Sequence, residues 1–221
     1  MELYDWSDID QTPHYLRDVN DAYSLPIIVN VERGIEYSDT DAYKAVVQLM
    51  VNLFDSGKWE NTLKLWMKGR IRKVVRKARG SAWVNISQNM DTVTANQGNV
   101  TMVACEPHRL DELDSLLKKQ QVQGINFTPA VTQNKVETGF NIAVNPILEM
   151  SSGKTLAQVA HVAQIAILEE PKERLKQWVD LGCPVNVVNW DVIPYGSHQI
   201  RDAGLTEIPA GSYTTRGFLQ L

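Results

Sequence analysis

The pattern of apolar and polar positions divides the chain into short segments of alternating type. Residues 25–31, Leu-Pro-Ile-Ile-Val-Asn-Val, form a β-branched run held between Pro26 and Gly34, which predicts a strand. Residues 38–54 open with Ser38 and Asp39 as cap candidates and continue with apolar residues at helical spacing, predicting a helix. Residues 59–80 predict a longer helix closed by Gly80, with Met67, Ile71, Val74, Val75 and Ala78 along one arc. Residues 99–105 then predict a strand, 107–121 a helix and 124–131 a short strand.

From about Gly139 the order partly recurs. A strand is expected at 140–148, a helix from Ser152 to about Leu168, a helix at 171–182 with Pro171 at its start and Gly182 at its end, and a strand at 184–192. A short link at 193–197 then leads into a Gly- and Pro-rich tail of 24 residues, with no helix between. This alternation predicts an α/β fold, a mixed and largely parallel β-sheet sandwiched between helices, with two related halves forming a pseudo-dimer as one way to build it. The expected organisation is an acidic arm over residues 1–24, an α/β half over 25–136 and a second α/β half over 137–221.

Composition narrows the class. At 221 residues and 43% hydrophobic content, the chain is long and apolar enough for a sizeable core. No stretch approaches the ~20 apolar residues of a membrane span, and the acidic start differs from a basic, then apolar, signal peptide. A cytoplasmic protein with no membrane partner is therefore expected. Cys105 and Cys183 lie far apart with no ligand-like spacing, which predicts ordinary buried thiols and neither a disulfide framework nor a metal site. No cofactor is implied.

Charge is unevenly distributed along the chain. The formal net charge is −4, yet residues 58–79 hold nine basic residues and one acid, leaving the remainder at about −12. On the expected helix, Lys68, Arg70, Arg72, Lys73, Arg76, Lys77 and Arg79 spread opposite the apolar arc. Such a face suits either plain solvation or a polyanionic partner.

Two patches carry candidate chemistry. Gly153-Lys154-Thr155 after an apolar strand suggests a phosphate-cradling loop, but the second glycine that such a loop requires is replaced by Leu148, which excludes a triphosphate site. What remains is a polar stripe. Lys154, Gln158 and His161 are spaced i, i+4, i+7, within about 60° of one another on one helix face. The stripe begins at a helix N-terminus directly after a strand, where anions and active sites gather; a solvent-facing edge would give the same spacing. The second patch, residues 200–212, crowds Arg201, Asp202, Thr206, Glu207 and Ser212 into one irregular loop.

Met-Ser-Ser-Gly-Lys-Thr-Leu-Ala-Gln-Val-Ala-His-Val-Ala (150–163) resembles the first-helix signature of the archaeal and eukaryotic, type 2, peptidyl-tRNA hydrolase family. Ile-Arg-Asp-Ala-Gly-Leu-Thr-Glu-Ile-Pro-Ala-Gly-Ser (200–212) resembles that family's second motif. The resemblance covers about residues 138–221, and the basic stretch 70–80 is similar to a segment of longer, actinobacterial members with an extra N-terminal half. It implies a four-stranded mixed sheet, a homodimer or its internal equivalent, and hydrolysis of the ester joining a peptide to tRNA. It also implies Lys154, Asp202 and Thr206 as catalytic residues and Gly153, Gln158, His161 and Arg201 as substrate-binding ones. Peptidyl-tRNA is the partner, and the basic segment becomes its contact. Departures from the pattern at Ile147, Leu205, Glu207 and Ala210, and the missing helix, leave a second expectation: an RNA-binding or regulatory protein that keeps the fold without catalysis.

Overall fold

The computed structural model describes residues 23–204 and 206–221. The expected acidic arm lies outside them up to residue 22, and Tyr23 and Ser24 already belong to the first strand. In chain order the elements of the first half are β1 (Tyr23–Asn30), α1 (Asp39–Asp55), α2 (Glu60–Lys68), β2 (Arg72–Ala78), α3 (Gly80–Asn89), β3 (Thr92–Gln97), β4 (Val100–Cys105), β5 (His108–Arg109) and α4 (Ser115–Lys118). The second half contributes β6 (Gly139–Val144), α5 (Ser152–Glu169), α6 (Lys172–Asp180), β7 (Val185–Val187), β8 (His198–Arg201) and β9 (Tyr213–Gln220).

Each half builds its own mixed sheet. The first has the order β2-β1-β4-β3, with β5 paired to the start of β1, and the second has the order β7-β6-β9-β8. In both, the first strand runs parallel to the next strand after two helices and antiparallel to the last long strand of that half. A parallel partner cannot be reached by a tight turn, so the two helices serve as the crossover. The expected α/β class with mixed strands is what the structure shows. The expectation of a largely parallel single sheet is not: there are two sheets, and each contains one parallel pair beside antiparallel ones.

One hydrophobic cluster runs through both halves, from Leu25, Ile27 and Val29 through Val46, Met50 and Trp66 to Phe140, Leu156, Val159 and Leu219. α1 and α5 are amphipathic enough to meet each other and their own sheets. Each begins at a serine whose hydroxyl accepts from a first-turn N–H, Ser38 from Asp41 and Ser151 from Lys154; such caps are worth roughly 1 kcal/mol. α5 lies close on its sheet because Gly217 has no side chain: a Cβ there would come within 2.5 Å of the Phe140 ring and 2.9 Å of Val162.

The long basic helix expected over residues 59–80 does not exist. Gly69 ends α2, and residues 72–78 form β2, paired in parallel with β1 over its whole length from Ser24↔Arg72 to Asn30↔Ala78. Gly80, expected to close a helix, instead starts α3 at φ 53°. Val74 and Val75 favour a strand, and burial alternates at its start, with Lys73 and Val75 inside. The expected helix at 107–121 shrinks to the four residues of α4, and the expected strand at 124–131 reduces to an isolated bridge between Ser38 and Thr128. Strand 184–192 shortens to β7, followed by a 3₁₀ turn at Trp190–Val192. The elements expected from 139 to 182 are present, although the strand expected at 140–148 ends at Val144. Among the described residues, no helix is long and apolar enough to cross a membrane.

Candidate functional site

The helix stripe and the late loop meet. Lys154, in the first turn of α5, reaches Asp202 Oδ2 with its Nζ at 2.5 Å and donates to Thr206 Oγ1 at 2.9 Å. Gln158, the next residue on that face, donates from Nε2 to the same Asp202 oxygen at 2.7 Å. Asp202 Oδ1 accepts from the Gly204 backbone N–H at 2.8 Å. The orientation of Gln158 is itself fixed, because Thr214 of β9 donates to its Oε1 at 2.9 Å and Thr215 donates to its main-chain carbonyl at 3.1 Å. Asp202 is 6% exposed and Lys154 12%, whereas Thr206 lies in the open. The result is a nearly buried ion pair with one exposed hydroxyl attached.

Asp202 is delivered by the end of β8, where the strand register shifts between Ile200 and Arg201. Its backbone is locked by reciprocal bonds across the loop, Asp202 N–H to Ser212 C=O and Gly211 N–H to Asp202 C=O. Glu207, later in the same loop, accepts from the Ser151 N–H at 2.8 Å and from its hydroxyl at 2.6 Å. A carboxylate at that end of a helix complements the unpaired N–H groups and the dipole. The loop is thereby tied to α5 at both Lys154 and Ser151.

These groups line one side of a cleft of about 500 Å³. Its other side comes from the first half: Arg70, Arg72, Lys73, Val74 and Val75 at the start of β2, with Val122 and Gln123 beside them. Gly153, Gln158, His161 and Arg201 also line it, so every residue expected at the catalytic and substrate-binding positions reaches this one opening. The seven basic residues expected on one face are instead split. Arg70 and Arg72 line the cleft, while Lys68 and Arg79 are exposed and Arg76 and Lys77 bind the carbonyls of Gln120 and Gly124; these four are not among the cleft-lining residues. Lys73 is buried, with Nζ 2.5 Å from Gln164 Oε1 and 4.8 Å from the Trp66 ring. Burial pushes its ammonium well below its ordinary pKa range.

Thr214 and Gln164 are contributors that lie outside both motifs, while Ser151 and Glu207 lie inside them and gain a role only from their mutual contact. Ser151 is legible as the cap ahead of a helix; the pairing of Gln164 with Lys73, 91 residues away in sequence, has no local signal. Farther along α5, His198 of β8 bridges Glu169 and Glu170 at 3.1 and 3.2 Å. Burial lowers its pKa, but the two carboxylates outweigh that and hold the imidazole above its usual value. Among the described residues no group of three His, Cys, Asp or Glu side chains is placed to hold a metal ion.

Compared with protein-family models, with curated proteins and with solved structures, the chain has no match.

Proposed function

We propose that the protein is a peptidyl-tRNA hydrolase, cleaving the ester between a peptide and the 3′ ribose of tRNA by addition of water. The observation that carries this reading is the ammonium of Lys154, held between Asp202 and Thr206 at a cleft whose opposite wall bears Arg70 and Arg72. An ester needs little activation of its leaving group. Catalysis then amounts to orienting a water and stabilising the oxygen that becomes negative.

In this account Lys154 faces the carbonyl oxygen and supplies the positive charge that the tetrahedral intermediate requires. Asp202 accepts three hydrogen bonds, so its place is to hold Lys154 and Gln158 in line. Thr206 Oγ1 accepts from Lys154, which leaves its own proton to donate to a ribose or water oxygen. Water adds to the carbonyl carbon, the ester C–O bond breaks and the proton passes to the departing ribose oxygen. The products are a free peptide acid and a 3′ hydroxyl. Arg70 and Arg72 meet phosphates of the acceptor end.

The architecture fits an internal pseudo-dimer. The two sheets share one strand order, and α1 and α5 occupy equivalent places after the first strand of each half. Aligned on their serine caps, Lys154, Gln158 and His161 correspond to Asp41, Ala45 and Gln48. The first half thus takes the place of a second subunit and keeps no catalytic set.

A second reading, an RNA-binding protein without catalysis, is favoured by Glu207, which places negative charge at the N-terminus of α5 beside a site meant for a polyanion. Single-turnover cleavage of N-acetyl-aminoacyl-tRNA separates the two. The hydrolase reading expects release well above the spontaneous rate and a roughly 100- to 1000-fold loss in Lys154→Ala. Tight tRNA binding with no release would replace it by the second reading.

A further inference from the structure

The turn that joins α2 to β2 adopts a backbone that its sequence does not favour. Ile71 is β-branched, 2% exposed and has φ 46°, in the left-handed region that such residues avoid. Strain of this kind persists only when neighbours over-determine it, and here they do. The Ile71 carbonyl accepts from His161 Nε2 at 2.7 Å and lies 3.4 Å from Lys73 Nζ. The next carbonyl, that of Arg72, accepts from Trp66 Nε1 at 2.8 Å. Lys73 is in turn fixed by Gln164. From the second half His161 of α5 grips the turn directly and Gln164, one turn on, grips it through Lys73, while Trp66 grips it from the first.

The residues on either side of Ile71 are Arg70 and Arg72, and both line the cleft. We propose that the Gly69–Arg72 turn is a phosphate-reading element of the cleft, and that His161 is a positioning residue that holds it rather than a group that touches substrate. The inference rests on the proposed function for the identity of the polyanion, and its content is separate: the helix that carries Lys154 also sets the Arg70 guanidinium across the cleft, Arg72 being held by its strand pairing with Ser24. Because His161 acts at Ile71, its loss releases the turn and misplaces Arg70 without altering the Lys154, Asp202 and Thr206 constellation.

The test is a double-mutant cycle on binding of deacylated tRNA, which involves no hydrolysis. His161→Ala is expected to weaken binding about 10-fold at moderate salt and to reduce the slope of log K against log salt by about one phosphate contact. Arg70→Ala should do the same. The double variant should be no weaker than Arg70→Ala alone, because each removes the same contact. His161→Gln, whose amide N–H replaces the ring donor, should recover most of the affinity, and it guards against a merely unfolded His161→Ala. On N-acetyl-aminoacyl-tRNA, His161→Ala should raise KM and leave kcat within about 2-fold. Additive losses in the double variant, an unchanged salt slope, or a loss confined to kcat would overturn the proposal. Absence of tRNA binding by the parent protein would overturn both it and the RNA reading, whereas binding with the predicted cycle but no ester cleavage would remove the hydrolase alone.

Discussion

Replacing Asp202 by asparagine probes the ion pair at the centre of the cleft with almost no change of shape. Asp202 Oδ2 faces two donors, Lys154 Nζ and Gln158 Nε2, and Oδ1 faces a third, the Gly204 N–H. An amide has one acceptor oxygen, so whichever way the substituted side chain turns, its NH₂ group meets a donor. The Lys154 ammonium also loses its counter-charge. Removing one partner of a buried pair costs about 3–5 kcal/mol, and the lower end applies because Lys154, 12% exposed, opens on the cleft. For a chain of this size about 3 kcal/mol lowers Tm by roughly 6–12 °C. Hydrolysis should fall about 100-fold or more, since the ammonium is no longer aimed. Pairing Lys154→Met with Asp202→Leu removes both charges and should restore part of the stability, less the cost of leaving the buried Gln158 Nε2 without its acceptor, while leaving hydrolysis at background. Calorimetry and single-turnover cleavage on the same preparations read both effects. An Asp202→Asn protein that melts within about 2 °C of the parent and retains its rate would refute the argument that this pair orders the site.

Other perturbations test the surroundings. Lys73 is buried and burial lowers its pKa; the unfolded state therefore holds more protons, and stability rises with pH up to the ordinary lysine range near 10.5. Lys73→Met should be more stable than the parent at neutral pH and lose that advantage as the pH approaches that range, as denaturant midpoints will show. Asp39 is raised to about 6 by desolvation, partly offset by its hydrogen bond from Tyr43. Its folded pKa exceeds the unfolded value of 3.8, so its favourable contribution is complete below 3.8 and lost as pH rises through about 6. Asp39→Asn should therefore raise Tm at about pH 7 and give no gain at about pH 3.5. Gly217→Ala places a methyl against Phe140 and Val162; overpacking there should cost about 1–3 kcal/mol, seen as a lower urea midpoint.

The residues of α5 and the late loop are legible in the sequence because their signals are local. Ser151 precedes a first turn, Lys154, Gln158 and His161 share a face, and the Gly- and Pro-rich run around Asp202 demands a loop. Their convergence follows from an α5 that comes directly after β6 and a loop that comes directly after β8. The β2 segment reads as a helix for a physical reason. Its alternating pairs of basic and β-branched residues fit a helical wheel, and what decides the matter is the parallel edge of β1, paired as Ser24↔Arg72 far back in the chain, which no local period reports. The hairpin of β3 and β4, turning at Gly98 and Asn99, carries a two-residue turn signal, yet the periodicity marks a strand only on its far side. Ile71 has no signal at all, since its backbone is imposed by His161, Lys73 and the neighbouring carbonyl bond to Trp66.

Hydrolysis of tRNA esters is tested by cleavage in oxygen-18 water with the purified chain, N-acetyl-aminoacyl-tRNA as substrate and the uncatalysed reaction as reference. Rapid release of the acylated amino acid with one labelled oxygen in its new carboxyl group, intact unlabelled tRNA, and loss of that release in Lys154→Ala are expected. Release no faster than in protein-free buffer, or equal in the parent and in Lys154→Ala, would contradict the proposed hydrolysis.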